Sequence, residues 1–168
     1  LKDSSIKLAN ILLRKKIKSL VLFNYEPKLD KFLNWYQQII AESLGKKGKG
    51  FLPIISPAPK DHHSLLQLYL DGPKDKLFYI FYSNLKNKKI NKIISAQKDA
   101  LKKVFVKKKI PFREIEIKNY NEDTLGELFS YFILETALLG RMMNINPFDQ
   151  PAVEEVKKVT KNLLFKRK

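Results

Sequence analysis

Hydrophobic and polar positions along the chain alternate between two kinds of segment. Short apolar runs, typical of strands buried on both faces of a sheet, recur four times. They occupy residues 19–24, 51–56, 76–82 and 111–117. The segments between them repeat apolar residues with the 3.6-residue period of a helix. One such set is Leu29, Leu33, Tyr36 and Ile40. Strands that alternate with helices predict an α/β fold, a three-layer sandwich in which a mostly parallel sheet is flanked by helices.

The last third of the chain is predicted to be helical. An apolar stripe begins at Leu125 and continues to Ala137, and Gly140 is a typical helix end. A further helix is expected from Pro151, a favoured residue in a first helical turn, to Leu164. The fold should therefore finish with a helical C-terminal region.

Length and composition favour one folded domain over residues 1–168. A chain of 168 residues with 44% hydrophobic and 11% aromatic residues can bury a full core. It begins at Leu1, and residues 5–16 already form an amphipathic helical pattern that leads into the first strand. We therefore expect a fragment of a longer, two-domain chain.

Cysteine content and hydropathy exclude several classes of function. The chain has no cysteine, which excludes disulfides, thiolate nucleophiles and cysteine-containing zinc sites. No apolar run approaches the roughly 20 residues of a membrane helix, and the first residues lack the basic-then-apolar order of a signal peptide. The prediction is a cytoplasmic protein without a membrane partner.

The formal net charge of +16 raises the alternative of a polyanion-binding domain. Almost all of this charge is lysine, and the arginines are Arg14, Arg113, Arg141 and Arg167. Sequence-specific phosphate recognition favours the bidentate fork of arginine over lysine. The charge therefore indicates a solvated lysine surface and no specific nucleic-acid partner.

A candidate base lies in the helix predicted from Lys28 to Leu44. Gln38 and Glu42 are four residues apart, so they share a face that is separate from the apolar stripe. An ordinary surface glutamate is the alternative interpretation. The glycine-rich loop that follows is not a nucleotide-binding P-loop, because Phe51 stands where Lys and then Ser or Thr would be needed.

His62 and His63 stand side by side before a helical segment that runs from Ser64 to Leu70. Adjacent helical positions diverge by about 100°, so the two rings are poorly placed to chelate one metal ion. We therefore predict no metal site. A helix N-terminus disfavours cationic histidine, so either ring could exchange protons, although these residues alone favour a capping or surface role over catalysis.

Gln150 and Lys157 flank the start of the last predicted helix. Their separation of seven residues is about two helical turns, so they can lie on one face. The preceding residues 146–149, Asn-Pro-Phe-Asp, form a turn with Asp149 as a candidate N-cap. A simple corner between helices would explain the turn but not Gln150 and Lys157.

Four segments together resemble the glucose-6-phosphate isomerase family in order and spacing. They are Glu-Ser-Leu-Gly-Lys at 42–46, Asp-His-His-Ser at 61–64, Leu-Asp-Gly-Pro at 70–73, and the stretch 140–157 with its Phe-Asp-Gln motif. One departure is Ala152, where many members have glycine. The resemblance implies the C-terminal sugar-isomerase (SIS) domain of that family, with a flavodoxin-like fold.

The resemblance also implies a reaction and the residues that perform it. Glu42 would be the base that moves a proton between C1 and C2, interconverting glucose 6-phosphate and fructose 6-phosphate. His63 and Lys157 would open the sugar ring, and Gln38 and Gln150 would face the substrate. The family needs no cofactor, and its histidine acts in the neighbouring subunit's site, which implies a homodimer.

The part of the family that binds phosphate is not matched by this sequence. The phosphate loop, rich in serine and threonine, belongs to an N-terminal SIS domain, so the chain alone is expected to be inactive. The alternative is a noncatalytic sugar-phosphate-binding module with the same fold.

Overall fold

The computed structural model describes residues 2–14, 17–83 and 89–165. Within these residues the chain forms seven α-helices, four strands and one turn of 3-10 helix at Pro27–Leu29. The order is α1 (Lys2–Arg14), β1 (Ser19–Asn24), α2 (Asp30–Leu44), β2 (Leu52–Pro57), α3 (Asp61–Ser64), α4 (Leu66–Asp71), β3 (Lys76–Ser83), α5 (Lys89–Lys107), β4 (Phe112–Ile117), α6 (Glu122–Met142) and α7 (Pro151–Phe165). The predicted end of the first helix at Lys16 lies outside the described residues.

The described strands form one parallel sheet in the order β2-β1-β3-β4. Leu20 of β1 lies opposite Pro53 of β2 on one side and Leu77 of β3 on the other. The sheet continues from β3 to β4, where Phe78 pairs with Phe112. This order follows the flavodoxin-like pattern of doubly wound folds. The predicted α/β fold with a parallel sheet is confirmed.

Alternating side chains on the central strands fill two separate cores. On β1, Leu20 and Leu22 face a core shared with α1, α2 and α6, whereas Val21 and Phe23 face a core shared with α4 and α5. Each of these four side chains is at most 1% exposed. Since both faces are covered by helices, the central strands read in the sequence as continuous apolar runs.

Two of the predicted helices differ in detail from the structure. The helix expected from Ser64 to Leu70 is two short helices, α3 and α4, separated at Leu65. The final helix, α7, is present as predicted, but its described side chains are all exposed. Its apolar residues Val156 and Leu163 are 65% and 69% exposed.

Candidate functional site

The fold places Glu42 at the edge of the sheet where the strands begin. Asn24, the last residue of β1, donates from its side-chain amide to Asp30 at 2.8 Å, which fixes the start of α2 at the opposite edge. The helix then runs back along the sheet with Leu33, Tyr36 and Ile40 buried. Gln37 donates to the carbonyl of Pro53, near the start of β2, at 2.9 Å. The last turn of α2, which carries Glu42, therefore lies at the edge where the strands begin, called here the amino edge. The edge where the strands end is called the carboxyl edge.

The elbow between α6 and α7, defined here as residues 143–150, lies at the same edge, because α6 packs beside α2 on one face of the sheet and runs in the same direction. The helix α6 ends at Met142, so the prediction that Gly140 ends it is wrong. Asn144 has a left-handed φ of 53°, and its N–H donates to Arg141 while that of Ile145 donates to Gly140. This is the Schellman pattern of helix termination, with asparagine in the place more often taken by glycine.

Gly140 instead provides space for the elbow. It is buried, and a Cβ built on it would lie 2.9 Å from the Cβ of Pro147. Carbon atoms that are not bonded pack at about 3.5–4.0 Å, so a larger residue at this position would displace the proline ring. The glycine thus lets the elbow pack directly against the last turn of α6.

Two lysines of the loop after α2 hold the elbow in place. Lys46 donates to the carbonyl of Asn146 at 2.6 Å and lies 3.0 Å from a carboxylate oxygen of Asp149. Lys49 donates to the carbonyl of Met143 at 2.6 Å. The hydrogen bond from Lys46 lowers the pKa of Asp149. Asp149, expected to cap α7, therefore contacts the α2 loop.

Glu42 lies where the helix, the loop and the elbow meet. Its Oε1 accepts from the Gln38 amide at 2.9 Å, and its Oε2 accepts from the Gln150 amide at 2.7 Å. The carboxylate is partly buried and borders a cavity of about 260 Å³. The cavity is lined in addition by Lys46, Asn146 and the first turn of α7. The structure thus brings together Gln38, Glu42 and Gln150, three of the five residues predicted from the sequence.

The two histidines have different surroundings at the opposite edge of the sheet. The Nε2 of His62 lies 2.5 Å from the hydroxyl of Tyr25, and its ring packs edge-on against Phe23. Burial lowers the pKa of His62, and the neighbouring His63 lowers it further. Burial likewise raises the pKa of the Tyr25 hydroxyl. His63 is the more exposed of the two histidines.

Asp61 fixes the short helix that carries both histidines. It is buried, and its carboxylate accepts from the hydroxyl of Ser56, at the end of β2, at 2.7 Å. Its other oxygen accepts from Ser64 at 2.9 Å. This places His63 at the carboxyl edge of the sheet. The strand β2 spans about 16 Å from Leu52 to Pro57 at roughly 3.3 Å per residue, so Glu42 and His63 are far apart in one copy of the chain.

Lys157 is not part of the cluster around Glu42. Its ammonium group lies 2.7 Å from Glu154, one turn earlier on the exposed helix α7. Gln150 precedes that helix and points to Glu42, so the two residues have different partners. Lys46 was not among the site residues predicted from the sequence, although it closes the matched segment 42–46.

The described residues contain neither a group of metal ligands nor a membrane-spanning helix. Within residues 2–14, 17–83 and 89–165, no three His, Asp or Glu side chains are grouped so that they could hold a metal ion. No helix in this part of the chain has the length and apolar character needed to cross a membrane.

Comparison with known proteins supplies relatives for most of this sequence. The glucose-6-phosphate isomerase of Methanocaldococcus jannaschii is 35% identical over 160 residues, which cover 86% of this chain and 40% of that protein. The glucose-6-phosphate isomerase of Campylobacter jejuni is 35% identical over 167 residues, covering 86% of this chain and 41% of that protein. The chain thus spans about two fifths of the length of these curated relatives. No protein-family model matches it.

Solved structures share the fold. A hypothetical protein from Thermus thermophilus superposes with a TM-score of 0.82 at 24% identity, over 96% of this chain and 45% of that one. A glucose-6-phosphate isomerase from Chlamydia trachomatis superposes with a TM-score of 0.78 at 17% identity, over 95% of this chain and 38% of that one. The resemblance read from the sequence is therefore confirmed, and this chain is homologous over most of its length to a segment of glucose-6-phosphate isomerases.

Proposed function

We propose that this chain supplies the general base of an isomerase that interconverts glucose 6-phosphate and fructose 6-phosphate, and that the base is Glu42. One observation carries the proposal: the Glu42 carboxylate borders a cavity and is oriented by two amides from different parts of the chain. The curated relatives named glucose-6-phosphate isomerase give the substrate class.

The local geometry suits a carboxylate that moves a proton. Each carboxylate oxygen of Glu42 accepts one amide hydrogen bond, which leaves about two lone-pair sites free on the group as a whole. The amides fix the direction of these lone pairs without supplying a charge that would neutralise the base. Glu42 would remove the proton from C2 of the open-chain aldose and return it to C1 through an enediolate. The C1 oxygen gains a proton and the C2 oxygen loses one, so the reaction needs no redox cofactor.

His63 is proposed to open the sugar ring in the site of a neighbouring copy. His63 is an exposed residue, whereas His62 is held by Tyr25. Proton transfer needs donor and acceptor within about 3 Å, and the length of β2 separates the two sheet edges by far more. In a symmetric dimer, the carboxyl edge of one copy can meet the amino edge of the other.

Lys157 and the missing part of the protein complete the proposal. Lys157 would assist ring opening from α7, a helix that begins directly after Gln150. The phosphate group would bind to an N-terminal sugar-isomerase domain, because the curated relatives are about two and a half times as long as the matched segment. This chain alone is therefore expected to be inactive.

The direct test is Glu42→Gln in the complete protein. General base catalysis contributes about 10²- to 10⁴-fold, so turnover and exchange of the C2 hydrogen with solvent should fall by that factor. Binding of the sugar phosphate should persist, because glutamine keeps the shape of the side chain. Glu127→Gln, on the exposed face of α6, is the matched control and should leave both quantities unchanged. Unchanged C2 hydrogen exchange in Glu42→Gln would reject Glu42 as the base.

Mixing two inactive variants tests whether His63 acts in the site of the neighbouring copy. Dimers of Glu42→Gln and dimers of His63→Gln should each be inactive. In a random mixture, half the dimers contain one copy of each, and one of their two sites is intact, so about a quarter of the activity should return. If His63 acts in its own copy, every site carries one defect and no activity returns.

A noncatalytic sugar-phosphate-binding module is the second candidate. It is favoured by the position of Lys157, which pairs with Glu154 and not with the group around Glu42. Such a module would bind sugar phosphates in the complete protein without exchanging their C2 hydrogen. Detection of that exchange in the unaltered protein would exclude it.

A further inference from the structure

Lys46 lies in a surface loop, yet its side chain is only 9% exposed. Lysines are rarely buried unless their charge is paired. The ammonium group of Lys46 meets the Asn146 carbonyl at 2.6 Å and the Asp149 carboxylate at 3.0 Å. The burial of a long, flexible side chain against two groups of one short segment indicates that it fastens that segment.

We infer that Lys46 is a positioning residue that holds Gln150 on Glu42. The two groups bound by Lys46 bracket the second half of the elbow, and Gln150 is the residue immediately after Asp149. Fixing these two points leaves little freedom for the Gln150 amide, which lies 2.7 Å from Glu42. The role of this contact in catalysis rests on the proposed function, whereas the mechanical connection does not.

The carbonyl contact contributes most to this connection. Asp149 is 53% exposed, and exposed ion pairs contribute little because water screens them. A hydrogen bond from a charged group to a carbonyl is stronger than a neutral one, and the Lys46 side chain that donates it is only 9% exposed, although Asn146 itself is an exposed residue. Lys49 holds the first half of the elbow through Met143, but its side chain is exposed, so its contribution should be smaller.

Loss of Lys46 should therefore change the orientation of the base more than the binding of substrate. Gln150 fixes one of the two Glu42 oxygens, and a small misplacement of a reacting group can reduce the rate strongly. An effect on orientation lowers kcat with little change in KM. A lysine that touches the sugar phosphate directly would instead raise KM.

The test compares Lys46→Met with Lys31→Met in the complete protein. Methionine keeps most of the apolar stem and removes the charge, and Lys31 is an exposed lysine at the other end of α2. Hydrogen exchange measured by mass spectrometry should be about tenfold faster over residues 143–150 in Lys46→Met, because charged hydrogen bonds are lost. Exchange over residues 30–44 should stay unchanged in both variants, which also shows that they fold.

Kinetic measurements test whether loosening of the elbow impairs catalysis by Glu42. We expect kcat to fall by about tenfold in Lys46→Met with KM within about twofold, and Lys31→Met to match the unaltered protein. The double variant Lys46→Met/Gln150→Ala should be no slower than Gln150→Ala, since Lys46 acts through Gln150. If Lys46→Met unfolds, Lys46→Gln permits the same comparisons.

The outcomes separate a failure of the inferred connection between Lys46 and Gln150 from a failure of the proposed isomerase function. Unchanged exchange over residues 143–150 would overturn the inference, and so would a double variant whose losses multiply. Faster exchange in a protein whose unaltered form has no isomerase activity would support the connection and reject the function.

Discussion

Alanine in place of Gly140 should destabilise the protein, against the usual effect of this change in a helix. Gly140 lies in the last turn of α6, and the added Cβ would be 2.9, 3.2 and 3.4 Å from three ring carbons of Pro147. The nearest of these distances is at least about 0.6 Å too short for packed carbon atoms. The proline cannot retreat freely because Lys46 contacts Asn146 and Asp149, which lie on either side of it in the chain, and Lys49 holds Met143.

The magnitude follows from two opposing terms. Alanine is favoured over glycine by about 1 kcal/mol in a helix interior, whereas insertion of a methyl group into a packed site costs about 1–3 kcal/mol. Gly126, in the same helix, is exposed, and its added Cβ would have no neighbour within 4 Å. Gly126→Ala should therefore stabilise the protein by up to about 1 kcal/mol. The two variants should differ by about 1–3 kcal/mol in the free energy of unfolding.

Urea denaturation followed by circular dichroism measures this difference if the slope of the transition is equal in both variants. In Gly140→Ala, hydrogen exchange over the elbow should also increase, because displacement of Pro147 pulls on the segment that carries Gln150. Equal stabilisation by the two alanines would contradict this prediction, because it would show that the elbow does not pack closely against α6.

Three other predictions concern pH, a buried ion pair and the core. Because burial lowers the pKa of His62, its stabilising contribution is complete above the unfolded-state pKa of about 6.5 and declines as the pH falls below that value. His62→Gln should abolish this decline in an unfolding series from pH 7.5 to 5, whereas His63→Gln should retain most of it, because burial is the larger cause of the lowered pKa of His62. Arg113 donates to the fully buried Glu135 at 2.7 Å, so Glu135→Gln should cost about 3 kcal/mol in urea denaturation, and leucine at both positions should recover most of it. Phe132→Ala should cost about 3–5 kcal/mol, since the ring is 1% exposed. A cost below about 1 kcal/mol for either buried residue would contradict the packing described.

Most of the fold could be predicted from the sequence because it depends on burial alone. A strand such as β1, covered on both faces, has to be apolar at every central position, and this signal is strong over even six residues. The end of α6 was mispredicted because glycine has two possible reasons to be there. It can take a left-handed conformation, as Asn144 does here, or it can leave space for a neighbouring segment, as Gly140 does. Only the tertiary contact with Pro147 distinguishes them.

The candidate site was predictable in part. The spacing of Gln38 and Glu42 fixes their common face because both lie on one helix. The contact between Glu42 and Gln150 joins residues 108 positions apart, and its position depends on Lys46, which resembles any other loop lysine in the sequence. The difference between His62 and His63 likewise depends on Tyr25, a residue from another strand end.

Within the proposed function, the positions of Glu42 and His63 explain why two copies of the chain would be needed to form one site. Doubly wound folds usually bind ligands at the carboxyl edge of the sheet, where His63 lies, yet Glu42 is carried to the amino edge by the return of α2. No rotation of a side chain spans the roughly 16 Å of β2, so one copy cannot bring both groups to one sugar. A two-fold axis that brings these edges together in a pair of copies would form two identical sites at once. Under this proposal the separation within one chain would be a requirement of the assembly, because each copy would contribute its base to one site and its histidine to the other.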